Sequence, residues 1–488
     1  MKIKTISRSV ETSTRGSTSE VVKTHKNADP LLHPFERARE YSRAVRAVKM
    51  ERMFAKPFIG AMDDHADGVT CCATSPASLV ALVSGAADGE VLVWDLASRV
   101  KLWGVYAHTT TVKGVAVARD GSTFFSCGLD KTVKRWRLAA HEELAGGEGS
   151  GGAGGGSGGV GEDEAAARST FGARRAGSKG SRVAPIRVWS GRAGFTGVDC
   201  HWKSTESFAT SSTTCVELWD AGRAEPISSF EWGADTVTSV RWNPAEASVL
   251  ASTSADRGVV LYDSRMSTPL RKATLALSSN ALAWNPREPM NFVVANEDHS
   301  LYSFDMRKLN AATAVHKDHT GPVMDVHFSP TGREFVSGGY DKTVRIWQTA
   351  GAGAGAGRSR DMYHTGRMQR VFCVRFTPDS RFVVSGSDDA NLRIWKARAS
   401  EMLGRALPAE RAAGDYREAL KKKFAHMPAI RRIGQFRKTT KAITNATGRA
   451  HDEAQVDRRK AANVRAHSKP GAVVKQGIRE KPVVKVTV

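Results

Sequence analysis

The residues best suited to chemistry are histidines, serines and aspartates that recur at similar intervals. His65, Ser84 and Asp88 are followed by His108, Ser126 and Asp130, by His319, Ser337 and Asp341, and by His364, Ser385 and Asp389. One such trio would suggest acyl transfer, with serine as nucleophile, imidazole as base and carboxylate as its orienting partner. Four trios in register, each closed by a tryptophan (Trp94, Trp136, Trp347, Trp395), argue otherwise. A catalytic triad needs one exposed nucleophile beside one oxyanion hole. The recurrence points instead to a structural hydrogen-bond chain, one per copy of a repeated unit.

Other chemistry is thinly represented. Cys71 and Cys72 are adjacent, and none of the six cysteines forms a C-x-x-C pair, so neither a disulfide framework nor a zinc site is expected. Cys127, Cys200, Cys215 and Cys373 sit in or beside strand-like runs and read as small buried hydrophobes in a reducing compartment. There is no G-x-x-x-x-G-K-[ST] loop and no H-E-x-x-H. The expectation is a protein that is not an enzyme, with no cofactor, no metal and no small-molecule substrate. No run approaches the ~18 apolar residues of a membrane span, and the first residues lack the apolar core of a signal peptide. No membrane partner is expected.

The elements that must position the trios follow from a repeat. A strand ending in an aromatic residue, preceded by a turn residue that is usually Asp, recurs at Trp94, Trp136, Trp219, Tyr262, Phe304, Trp347 and Trp395. The steps of 42, 83, 43, 42, 43 and 48 residues fit a four-stranded blade at all but one place. The long step holds a Gly-rich insert over 139–182 and the 48-residue step an Ala/Gly insert over 350–357, both expected between blades. In DKTVRIW, Val344 and Ile346 share one face while Thr343, Arg345 and Trp347 share the other, as in a strand packed between neighbouring blades. The fold class is therefore all-β, a seven-bladed WD40-type β-propeller over 61–396, with basic, partly helical extensions at 1–60 and 397–488. Blades three, four and five lack the full trio and are expected to be the less rigid part of the ring.

Charge is concentrated at the ends. The chain carries 72 Lys plus Arg against 50 Asp plus Glu, a formal charge of +22. Residues 1–60 hold 13 basic and 6 acidic (+7) and residues 397–488 hold 22 and 8 (+14), which leaves 22 − 7 − 14 = +1 for the ring. Arg39, Arg43 and Arg46 are spaced for one side of a helix, either a solvated face packed on the propeller or a phosphate-facing strip. At the other end Lys421, Lys422, Lys423, Arg431, Arg432, Arg437, Lys438, Arg458, Arg459, Lys460, His467 and Lys469 surround a short apolar stripe of Leu420, Phe424 and Met427. That pattern suits a helix lying on a partner. A nuclear address, contact with RNA phosphates and simple solvation are all compatible with the clusters.

Several segments together carry a sharper likeness: NADPLLHPFERAREYSRAVRAVKMERMFAKPF, FTGVDCHW, SADRGVVLYDSR, ANEDHSLYSFDMR, KKKFAHMPAIRRI and AHSKPG. The chain resembles the suppressor-of-fibrillarin (Sof-like) WD40 family of small-subunit processome proteins. The likeness runs from about Asn27 to Val488 and fails in the two inserts and in parts of 439–461. It implies that the His, Ser, Asp and Trp sets pin the strands of a blade. It also implies a nuclear, nucleolar scaffold that works with pre-rRNA and processome proteins in small-subunit rRNA maturation. In animals the family is also described as a substrate receptor for a cullin-RING ubiquitin ligase, docking through an aromatic-Asp-x-Arg box. Tyr262-Asp263-Ser264-Arg265 and Phe304-Asp305-Met306-Arg307 match that box except that the aromatic is not Trp. Asp263, Arg265, Asp305 and Arg307 are thus candidates for an adaptor dock or for ordinary strand-end chemistry.

Overall fold

Each repeat begins as an antiparallel sheet because its four short strands alternate with turns of fixed chemistry. In the computed structural model, which describes residues 34–138, 184–231, 235–349, 357–405, 407–434, 439–469, 472 and 477–487, seven such sheets follow one another around a ring. Blade one spans 69–106, blade two 112–190, blade three 195–230, blade four 237–275, blade five 279–316 and blade six 323–363. The turn between second and third strands is set by its Asp. Asp130, Asp256, Asp298 and Asp341 each accept the backbone N–H two residues on, at 2.9–3.1 Å. The residue between takes a positive φ of 61–68° (Lys131, Arg257, His299, Lys342). Carboxylates suit that turn because they satisfy a backbone donor the hairpin leaves over.

Blade seven takes three strands from 371–396 and its outer strand from Phe58–Met62 at the other end of the chain, with Ala61 opposite Arg393. The ring therefore starts three residues before the boundary expected at 61. The segment FIGAM carries no terminal aromatic or turn Asp, the marks by which the repeats were counted. Blade four gains a fifth strand, Val483–Thr487, paired antiparallel to Arg271–Leu275. Val483 and Val486 cover the apolar cluster shared by blades four and five. The extension of 397–488 is thus not wholly separate from the ring.

Both inserts lie inside blades rather than between them. Residues 139–182 connect Thr132–Arg137 to Arg187–Ser190, third and fourth strands of blade two, and 350–357 likewise connect Val344–Gln348 to Asp361–Tyr363 in blade six. The aromatic strand ends mark the third strand, so an insertion directly after one falls before the blade is complete. Residues 139–183 and 350–356 lie outside the described residues.

The core is divided among the gaps between blades, where the closing aromatics are buried: Trp94, Trp136, Trp219, Tyr262, Phe304, Trp347 and Trp395. Outside the ring, the described residues form four helices: α1 (Glu36–Met53), α2 (Pro408–Lys423), α3 (Pro428–Gly434) and α4 (Lys441–His467). Pro408 opens α2 at a position where its missing N–H costs nothing, and the Leu407 N–H donates to the Glu410 carboxylate. None of the described helices is long and apolar enough to cross a membrane.

Candidate functional site

The trios are buried chains, each with a single direction of donation where complete. In blade two the Trp136 indole N–H donates to Ser126 Oγ at 2.9 Å, Ser126 meets His108 Nε2 at 2.8 Å, and His108 Nδ1 meets Asp130 at 3.0 Å. Blade six repeats the chain with Trp347, Ser337, His319 and Asp341 at 2.7, 2.7 and 2.9 Å. The carboxylate requires the proton on Nδ1, so Nε2 accepts from the serine hydroxyl and every polar group is satisfied. Ser84, Ser126 and Ser337 are 0% exposed, which leaves no path for a substrate to reach them. Burial alone would raise the Asp341 pKa, but the His319 imidazole beside it and the hydrogen bond between them hold the carboxyl well below its usual range.

Blades one and seven depart from that pattern. His65 Nε2 reaches Ser84 at 2.7 Å and Trp94 donates to the same oxygen, but His65 Nδ1 is buried without a hydrogen-bond partner. Asp88 accepts the Glu90 N–H instead, so it does not complete the chain the sequence suggested. Gly89 follows it with a φ of 89°, the same left-handed turn position that Lys131 and Lys342 occupy after Asp130 and Asp341. In blade seven Trp395 donates to Ser385 at 2.8 Å, while Asp389 is held by Ser387 and by Arg393. His364 is half-buried.

The channel through the ring carries polar groups that the repeat signature did not reveal. Thr196 and Thr238 donate from the first strand of one blade to the first carbonyl of the next blade's first strand, as does Asn280 through its amide. Asp199 pairs with Arg241 at 3.3 Å and Asp325 with Arg375 at 2.7 Å, also across blades. Asp199, Arg241 and Arg375 enter a cavity of about 560 Å³ at one mouth, whose lining also includes Pro76, Pro244, Pro286 and the rings of Trp242 and Trp284. Their signal was present in FTGVDC, VTSVRW, VMDVHF and VFCVRF, where a polar residue interrupts an apolar run. Among the described residues no three His, Cys, Asp or Glu side chains converge as a metal site would require. Burial pushes the Cys71 thiol up to about 12, far from the thiolate a nucleophile needs.

The two arms come together. α1 packs on α2 and α3 around Ala44, Val48, Leu420 and Ile430, with Tyr41, Phe424 and Met427 at the margin. The stripe expected to lie on a partner is therefore spent on the chain's own amino-terminal helix. Lys421 pairs with Glu51 at 2.9 Å and Lys423 with the buried Glu40 at 2.6 Å, so these two cations are neutralised within the seam. The joined helices are tied to the ring by Arg52–Asp361 at 3.3 Å in blade six. Turning acids inward leaves bases outward: Arg39, Arg43, Arg46, Lys422, Arg431 and Arg432 are all exposed.

α4 stands apart, with Ile443 its one buried residue. At 1.5 Å per residue it extends about 40 Å, and Arg458, Arg459, Lys460, His467 and the following Lys469 are exposed. Arg437 and Lys438 lie outside the described residues.

The aromatic-Asp-x-Arg boxes end the third strands of neighbouring blades. Asp263 accepts the Arg265 N–H at 3.0 Å and Asp305 the Arg307 N–H at 2.9 Å. Asp95 and Asp220 cap their strand ends in the same way. Arg307 also folds back on Asp305 through Nε at 3.1 Å and Nη2 at 2.9 Å, and those side-chain hydrogen bonds lower the Asp305 pKa. Arg265 is exposed.

Comparison with known proteins fits this division of the chain. A Sof1-like domain model matches residues 397–483, and a WD domain, G-beta repeat model matches 57–95, 100–137, 224–263, 311–348 and 362–396. Most of blades three and five, where the trio is absent, goes unmatched. The chain is 42% identical over its whole length to the zebrafish "DDB1- and CUL4-associated factor 13", covering all of that protein too, and 41% identical to the human protein of that name over the same extent. It is 38% identical to the budding yeast "Protein SOF1", with 95% of this chain and 91% of the yeast protein covered.

Proposed function

This chain belongs to the Sof1-like WD40 family, and from that premise we propose that it is a non-enzymatic scaffold of the small-subunit processome, acting in the nucleolus in pre-rRNA processing and small-subunit biogenesis. The observation that carries this reading is the pairing of a nearly neutral ring with joined, outward-basic arms. The ring offers blade faces to proteins, and the arms offer cations to phosphate. α4 strengthens it. From Arg458 to Lys469 the chain has five Lys or Arg and no acid, and a helix polar on all sides has little reason to persist without a partner. Contact with the RNA backbone would be sensitive to salt and indifferent to sequence.

The test replaces charge and leaves the seam intact, since removing 401–488 would also strip Leu420, Ile430 and the fifth strand of blade four. A full chain carrying Lys422→Glu, Arg431→Glu, Arg432→Glu, Arg458→Glu, Arg459→Glu and Lys460→Glu is expected to leave pre-ribosomal particles and to let small-subunit rRNA precursors accumulate. Unchanged sedimentation with those particles and normal precursor levels would overturn the reading.

A second reading, a substrate receptor of a cullin-RING ubiquitin ligase, draws on the name of the vertebrate relatives and on one observation. Asp263 with Arg265 and Asp305 with Arg307 occupy equivalent strand ends of adjacent blades, so two boxes open on the same face of the ring. Arg265→Ala with Arg307→Ala should abolish adaptor binding and spare rRNA processing; retained adaptor binding counts against the dock.

A further inference from the structure

The outward side of α1 carries a pattern that the C-terminal helices touch only through Arg43, among the described contacts. Arg39, Arg43, Arg46, Met50 and Met53 succeed one another at intervals of four, three, four and three residues. On an α-helix that spacing makes one continuous stripe, the seam by which a second helix packs alongside. Glu40, Ala44 and Val48, on a different side, are buried in the joint with α2 and α3. The stripe itself is open: Met50 is 49% exposed, Met53 68%, and Phe54 just beyond the helix 63%. Arg43 reaches the Tyr416 hydroxyl at 3.3 Å and still lies at the surface. Three large apolar side chains grouped at one end of a cationic strip are more than the scattered apolar residues of an ordinary surface.

We propose that this stripe docks an acidic amphipathic helix of another protein. Its apolar side chains would enter between Met50, Met53 and Phe54, and its carboxylates would meet Arg39, Arg43 and Arg46. Methionines adapt to the shape of an incoming helix, while the charges fix its direction. Charge selects the occupant. Residues 1–33 hold six bases (Lys2, Lys4, Arg8, Arg15, Lys23, Lys26) against three acids (Glu11, Glu20, Asp29), so the chain's own beginning is repelled from an arginine strip. A second copy would bring a further +22. RNA would engage the arginines and leave the methionines and Phe54 unused. The inference rests on the scaffold reading only for the setting in which the partner is met.

The experiment places photoreactive benzoylphenylalanine at Met50, and in a second chain at Arg43, within the full-length protein, and purifies the protein with its native assemblies after irradiation. The expected result is one crosslinked peptide from another protein at both positions, net negative, with apolar residues three and four apart. RNA crosslinked at Arg43 with nothing at Met50, a crosslink to residues 1–33 or to a second copy, or no adduct at either position would each overturn the proposal. A synthetic version of the captured peptide should then bind the full chain about ten-fold more weakly after Met50→Ser with Met53→Ser, and equal binding would count as failure. Should the protein be absent from pre-ribosomal particles while the acidic helix is still captured, the scaffold setting falls and the docking surface stands.

Discussion

Asp130 and Asp88 occupy the same place in neighbouring blades yet do different work. Asp130 serves the His108 ring, the Thr132 hydroxyl and a backbone N–H, whereas Asp88 serves its turn. Asp130→Ala should therefore destabilise the protein by about 1–3 kcal/mol, the cost of leaving a buried donor unpaired, and Asp88→Ala should cost clearly less; urea unfolding midpoints of the two variants make the comparison. The buried histidines add a pH dependence. Burial lowers His65 and His316 to about 4, while an unfolded histidine titrates near 6.5. Between those values the unfolded chain takes up protons that the folded chain refuses. Stability contributed by these two groups is thus whole above about pH 6.5 and declines as the pH falls towards 4. The urea midpoint at pH 5 should lie below that at pH 7, and His65→Gln should flatten part of the slope. A midpoint that does not move between the two pH values would contradict the neutral, buried imidazoles.

At the scale of the element, the joint between the arms is a small core of its own. Leu420→Ala should cost about 2–5 kcal/mol of local stability, read as faster amide exchange in α1, α2 and α3 with blades one to three unchanged. Ending the chain after Lys481 should raise exchange in Arg271–Leu275, which would lose its outer neighbour, while the ring stays closed by Phe58–Met62. How much of this could be read from sequence depends on whether the partner is local. The blades were legible because Asp turns and aromatic strand ends recur at a fixed period. The stripe of Leu420, Phe424 and Met427 was legible as apolar, but its partners Ala44 and Val48 lie at the opposite end of the chain and no spacing connects them. VVKVT reads as a strand, yet nothing in its alternation says which of seven edges it joins. The failure of Asp88 to reach His65 left only a faint trace, since its residue type matches Asp130 but it follows its histidine by 23 residues, where Asp130 and Asp341 follow theirs by 22.

Across the whole molecule, the distribution of charge was legible by counting, but its geometry was not. Counting cannot show that Glu40 and Glu51 turn inward and cancel Lys423 and Lys421, or that the exposed cations divide between the joined helices and the long α4. The expectation that blades three to five are looser meets a structure in which blade four carries the additional strand and the Ala312 N–H of blade five donates to the Arg479 carbonyl at 2.8 Å. Amide exchange resolved by blade decides it: the expectation holds if blade three exchanges faster than blades two and six, and fails if all three are protected alike.

Closing the last blade with the first strand also sets a timetable during synthesis. Phe58–Met62 leaves the ribosome long before Leu392–Lys396, with which it pairs in the sheet, has been made. At roughly 5–20 residues per second the interval is on the order of tens of seconds. Throughout that time six blades can form in order, each on its predecessor, while the seventh waits with one edge unpaired at either end of the nascent chain. The cell must keep those two edges from finding other strands, and a stalled or truncated translation product lacking 392–396 would remain an open arc that cannot close on itself.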